Sequence, residues 1–183
     1  MTPHNGMGSH QSAKMGKDEW LTPPWILKAL GSFDLDPCSP ENPPWIIAPV
    51  WYSKKVDGLS KPWFGRVYCN PPYGSETDRW LRRCAEHGNA IALVFARTET
   101  DTFFTCVWGK ADGILFIEGR LFFHHVNGDL AEANSGAPSV LIAYGKENAR
   151  ILEKCGIPGA YVGSHEVKSP DQSLDRFTME MER

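Results

Sequence analysis

The sequence predicts an α/β domain built on a mostly parallel sheet that ends in an antiparallel pair. Three observations carry this reading. Residues Ala90–Phe95 form an unbroken apolar run, the pattern of a strand covered on both faces. Short apolar runs alternate along the chain with segments of helical spacing, and the connections between them are rich in Gly, Pro and Asn.

The elements follow in order. Thr22 before Pro23-Pro24 reads as an N-cap with proline in the first turn, and Trp25, Ile26, Leu27, Ala29 and Leu30 continue the helix until Gly31 stops it. Residues 33–36 form a short strand. The proline-rich stretch 39–60 reads as irregular, with Trp45, Ile46, Ile47 and Trp51 expected to pack back on the core. Val67–Cys69 is a strand. Trp80, Leu81, Cys84 and Ala85 fall on helical spacing over 76–86, and Gly88 ends that helix. Beyond the 90–95 strand, a helix is expected over 102–108 and a strand over 113–116. Residues 121–125 and 139–144 are expected to pair as the terminal antiparallel strands, joined by a loop over 127–138. Residues 1–17 read as a flexible N-terminal segment, 18–168 as one domain and 169–183 as a polar C-terminal tail.

At 183 residues, with 42% hydrophobic and 11% aromatic content, the chain can bury one core of ordinary size. Its 5 cysteines contain no Cys-x-x-Cys pair and lie mostly in apolar surroundings, which reads as reduced core thiols rather than a disulfide framework or zinc site. The 6 histidines have no ligand spacing, so no metal is expected. No apolar stretch approaches the ~18 residues of a membrane span, and no basic-then-apolar leader opens the chain. The net charge of −3 is unfavourable for binding a polyanion, so any nucleic-acid face must come from local clustering of Lys54-Lys55, Arg66, Arg79, Arg82, Arg83, Arg97 and Arg120.

The segment that carries chemistry is Asn70-Pro71-Pro72-Tyr73, directly after the apolar Val67–Cys69 and before Gly74. Two prolines fix φ and remove two backbone donors, so the turn presents carbonyl oxygens and the Asn70 amide oxygen. Convergent acceptors suit an exocyclic amine, and the Tyr73 ring offers a face to a base. In an open α/β sheet, Asp36 and Asn70 at two strand ends face one crevice.

Asn-Pro-Pro-Tyr after a short strand resembles motif IV of the amino-methyltransferases, in the version associated with the N6 of adenine. The resemblance extends through Asp18-Glu19-Trp20-Leu21-Thr22-Pro23-Pro24, residues 33–38, Asp57-Gly58-Leu59, Ala96-Arg97-Thr98 and Gly119-Arg120, and it is to the small phage-type DNA N6-adenine methyltransferases of the Dam group. It implies an abbreviated Rossmann-like methyltransferase sheet, S-adenosylmethionine as cofactor and double-stranded DNA as partner, while the oligomeric state, monomer or homodimer, stays open. It also implies a cytoplasmic enzyme, in the host cell cytoplasm if phage-encoded, and fits a bacteriophage or restriction-modification setting. By the same resemblance Asn70, Pro71, Pro72 and Tyr73 are catalytic, and Thr22, Pro23, Asp36, Pro37 and Asp57 hold the cofactor, Asp36 near its ammonium and Asp57 at its adenine amine. Arg97, Thr98, Arg120 and Ser135 are candidate DNA contacts, with an ion pair from Arg97 to Glu99 or Asp101 as the structural alternative. The glycine-rich cofactor loop usual in amino-methyltransferases is missing, Cys38-Ser39-Pro40-Glu41-Asn42 stands in its place, and the small phage-type family shares this abbreviated look. Methylation of RNA or a protein glutamine, and a non-catalytic DNA-binding module, remain open on sequence alone.

Overall fold

The computed structural model describes residues 19–163. The segments 1–17 and 169–183, read above as flexible and as a polar tail, lie outside the described residues. Seven strands form one sheet: β1 (Leu35–Asp36), β2 (Val50–Trp51), β3 (Val67–Cys69), β4 (Ala90–Phe95), β5 (Gly113–Ile117), β6 (Ser139–Tyr144) and β7 (Gly159–Gly163). Their order is β2-β1-β3-β4-β6-β5-β7. β2, β1, β3 and β4 are parallel neighbours, whereas β6 is antiparallel to both β4 and β5, and β7 is antiparallel to β5.

Alternation along the strands divides the core. Val67, Cys69, Ala90, Ala92 and Val94 face helices α2 (Thr77–His87) and α3 (Asp101–Cys106) through Trp80, Leu81 and Phe103. Tyr68, Ile91, Leu93, Leu141 and Ala143 face α1 (Pro24–Leu30) and α4 (Lys146–Lys154) through Ile26, Leu30 and Leu152. Helices cover both faces, and β4 is buried on each, which is why it reads as continuously apolar.

Gly88 ends α2 in the left-handed region, at φ 72°, and its N–H caps the Cys84 carbonyl. The start of α1 differs from expectation. Pro23, not Thr22, is the N-cap and no side chain caps the helix; the Thr22 hydroxyl instead meets the buried Tyr68 hydroxyl at 2.7 Å. Packing overrides capping there.

Three further expectations are corrected. Residues 121–125 do not pair with β6; β6 inserts between β4 and β5, and the 121–131 segment holds only isolated bridges, His124 with Leu21 and with Leu130. β4 and β5 present long apolar edges that a six-residue apolar strand can satisfy on both sides, a better use of β6 than a two-stranded ribbon. Ile46 and Trp51 are 58% and 41% exposed rather than packed on the core; Trp51 lies in β2, an edge strand of two residues, and Ile46 in the irregular chain before it. Finally, α4 and β7 follow β6 where no element was expected.

Candidate active site

β1, β3 and β4 run parallel, so their carboxyl ends open on one edge of the sheet. The β3–β4 ladder stops at Cys69 opposite Ala92, while β4 continues to Phe95. Consecutive prolines cannot donate to a ladder, so the chain leaves the sheet at Asn70 and a gap opens beside it. That gap is a cleft of about 490 Å³. Its walls are the 37–40 turn, the 57–59 turn, residues 19–21, and Asn70 with the 72–76 turn and Trp80. The two turns touch closely: a Cβ on Gly58 would lie 1.9 Å from the Pro37 carbonyl oxygen.

The Asn70 side-chain nitrogen donates to the Trp20 carbonyl at 2.6 Å. This fixes the amide, since a flip would set two oxygens against each other. Oδ1 is consequently left buried, with no hydrogen-bond partner among the described residues. A bare buried acceptor costs roughly 1–3 kcal/mol. It is complementary to a donor brought by a ligand.

Tyr73 stacks one ring face on Phe95 at 4.3 Å and takes the edge of Phe123 at 5.9 Å. Its hydroxyl is buried without a partner among the described residues, and burial pushes the phenol well above its ordinary range, so it stays a donor. Trp20 and Tyr73 also line a second cavity of about 150 Å³, closed by Phe95, Phe123 and the 131–136 segment. The two cavities therefore share a wall made by Trp20 and Tyr73.

The other sequence-derived candidates divide. Pro37 and Asp57 line the cleft, the latter at φ 48° with Oδ1 accepting from the Leu59 N–H at 3.3 Å. Asp36 is buried and is not part of the wall; its Oδ1 accepts from the Cys38 N–H at 3.2 Å. Burial pushes its carboxyl up to about 7, partly opposed by the Cys38 N–H and the Ser39 hydroxyl. Thr22 and Pro23 are buried and leave the lining to Leu21. Ser135 lines the aromatic cavity but commits its hydroxyl to the Ala137 carbonyl, and Arg120 bonds the Ser135 carbonyl at 3.4 Å. Arg97 follows β4, half-buried, and makes no ion pair with Glu99 or Asp101 among the described residues. Thr98 offers its carbonyl to the Trp108 indole at 3.0 Å.

The chain matches the family model described as DNA N-6-adenine-methyltransferase (Dam) over residues 9–169. The chain belongs to this family. It is an adenine-specific DNA methyltransferase, and DNA is its substrate. No curated protein and no solved structure matches it.

Sequence reasoning missed several residues that line the two cavities of this methyltransferase. Phe95 and Phe123 line the aromatic cavity, and Glu19, Glu76 and Trp80 line the cleft. Phe95 was legible as the last residue of a strand ending at the active edge; the others reach the site only through tertiary folding. Arg66, counted above among the clustered cations, precedes β3 at the opposite edge, where it stacks over Phe33 at 4.2 Å and bonds Asn148 and the Ser32 carbonyl.

Proposed function

We propose that the chain transfers a methyl group from S-adenosylmethionine to the N6 of an adenine flipped out of double-stranded DNA, with the donor in the larger cleft and the base in the aromatic cavity. The observation that carries this reading is the bare, oriented Oδ1 of Asn70 beside the wall common to both cavities.

The cleft suits the cofactor. Its volume falls within the ~300–1,000 Å³ usual for small-molecule sites. Its lining carries the carboxylates of Glu19, Asp57 and Glu76 against the single amine of Lys54, a balance that favours a cationic ligand. Pro37 and Asp57 hold the cofactor from the wall, while Asp36, Thr22 and Pro23 support that wall from the buried side. Bound there, S-adenosylmethionine supplies an electrophilic methyl group.

The protein's own contribution is to the amine. The N6 lone pair is delocalised into the purine ring and is a weak nucleophile. Asn70 Oδ1 accepts one N6–H and the Pro71 carbonyl the other, which localises the lone pair and stabilises the positive charge that grows on nitrogen. Pro72 holds the turn through its carbonyl, which accepts from the Thr77 hydroxyl at 3.1 Å. The Tyr73 ring, which lines the aromatic cavity, is the stacking partner for the base and recovers part of the few kcal/mol lost on unstacking. No cysteine nucleophile is required, consistent with thiols at 69, 84 and 106 that are buried in the core. Arg97, Thr98, Arg120 and Ser135 lie on loops at the active edge and contact the DNA strand around the flipped base.

The test is transfer of a labelled methyl group to plasmid DNA, followed by hydrolysis to nucleosides. Label in N6-methyladenine is the expected result. Label in N4-methylcytosine, or none in DNA, overturns the reading.

A further inference from the structure

We infer that Trp80 determines which heterocycle the cleft accepts, its indole N–H donating to a ring nitrogen of the cofactor's purine. The inference rests on the reading of the cleft as the S-adenosylmethionine site. Trp80, on α2, is only 7% exposed and lines the cleft. Its Nε1–H is buried with no hydrogen-bond partner among the described residues. Buried indole N–H groups normally find an acceptor.

The neighbouring indole supplies the contrast. Trp63 stacks against Trp80 with ring centroids 6.3 Å apart, yet Trp63 satisfies its own N–H on the Gly58 carbonyl at 2.9 Å. The fold thus satisfies one indole of the pair and leaves bare the one that reaches the cleft. The Trp63–Gly58 bond also ties this aromatic pair to the 57–59 turn, and Trp80 and Asp57 line the same cleft.

A bare indole donor and a carboxylate acceptor lining one cleft match the needs of adenine, whose edge presents an amine next to a ring nitrogen. Trp80 packs in one apolar cluster with Leu81, Cys84 and Leu59. The bare N–H is then a selectivity device. A site built to hydrogen-bond a ligand atom rejects analogues that lack it, because its own buried group is left unpaired.

The experiment is calorimetric titration of the full chain and its Trp80→Phe variant with S-adenosylhomocysteine and with its 1-deaza, 3-deaza and 7-deaza analogues. Phenylalanine keeps an aromatic ring in the stack and removes only the N–H and the second ring. The expected results are a roughly tenfold weaker affinity of Trp80→Phe for S-adenosylhomocysteine, and a similar loss for one deaza analogue in the wild-type chain that disappears in the variant. Equal affinity of both proteins for the parent ligand, or wild-type binding of all three deaza analogues as tight as the parent, overturns the inference even if the variant folds poorly. A wild-type chain that binds no S-adenosylhomocysteine overturns the cofactor reading itself, and this inference with it.

Discussion

At Asn70 a single hydrogen bond decides what the residue can do. Its nitrogen is held by the Trp20 carbonyl, so the oxygen is the free end, and an amine rather than a carbonyl is the group it can receive. Asp36 is the second residue with a measurable signature. Its carboxyl is pushed from 3.8 up to about 7 by burial, so between those values the folded chain holds a proton that the unfolded chain has released. The sign follows from linkage: stability from this group is fully present below about pH 4 and is lost as pH rises through about 7. The full effect is on the order of 4 kcal/mol. Thermal unfolding of the ligand-free protein between pH 4 and 8 is the check. Asp36→Asn, whose amide oxygen can still accept from Cys38, is expected to remove this descending component, and a variant curve parallel to the wild type would refute the assignment.

Between elements, the cleft exists because β3 stops early and two turns meet behind it. Gly58 is the tightest point of that meeting. In Gly58→Ala the new methyl group and the Pro37 carbonyl oxygen, 1.9 Å apart on the native backbone, force the 37–40 and 57–59 turns to separate. A loss of roughly 2 kcal/mol is expected, or a melting temperature lower by about 4–8 °C, together with weaker cofactor binding. Melting unchanged from wild type would show that the turns are not packed this way. Much of the element order was legible from local pattern: the bounds of β3 and β4 are those expected, and α2 differs by one residue at each end. Where reading failed, the cause was tertiary. The alternation of buried Leu121 and Phe123 with exposed Phe122 is real, but it serves the aromatic cavity and α1 rather than a ladder. Helix α4 follows Gly145, without a side-chain cap to announce it, and β7 is a glycine-flanked edge strand with little apolar pattern.

On the scale of the molecule, a chain of net charge −3 acts on a polyanion by local arrangement. Several of its cations are spent on structure: Arg66 at the opposite edge, Arg79 against Glu76, Lys55 against Glu41. Arg97 and Arg120 remain at the edge where the cleft opens. The sequence alone marked this edge through Asn70 and Asp36, because strand ends converge there in any parallel sheet. It could not show that Trp20 closes the gap between two cavities, since that contact spans 50 positions along the chain. The most direct measurement is methyl transfer to DNA adenine by Asn70→Ala, run beside calorimetric binding of S-adenosylmethionine. Transfer reduced about a hundredfold or more with cofactor affinity unchanged is the expected result. Wild-type transfer by Asn70→Ala would contradict the role given to its carbonyl oxygen.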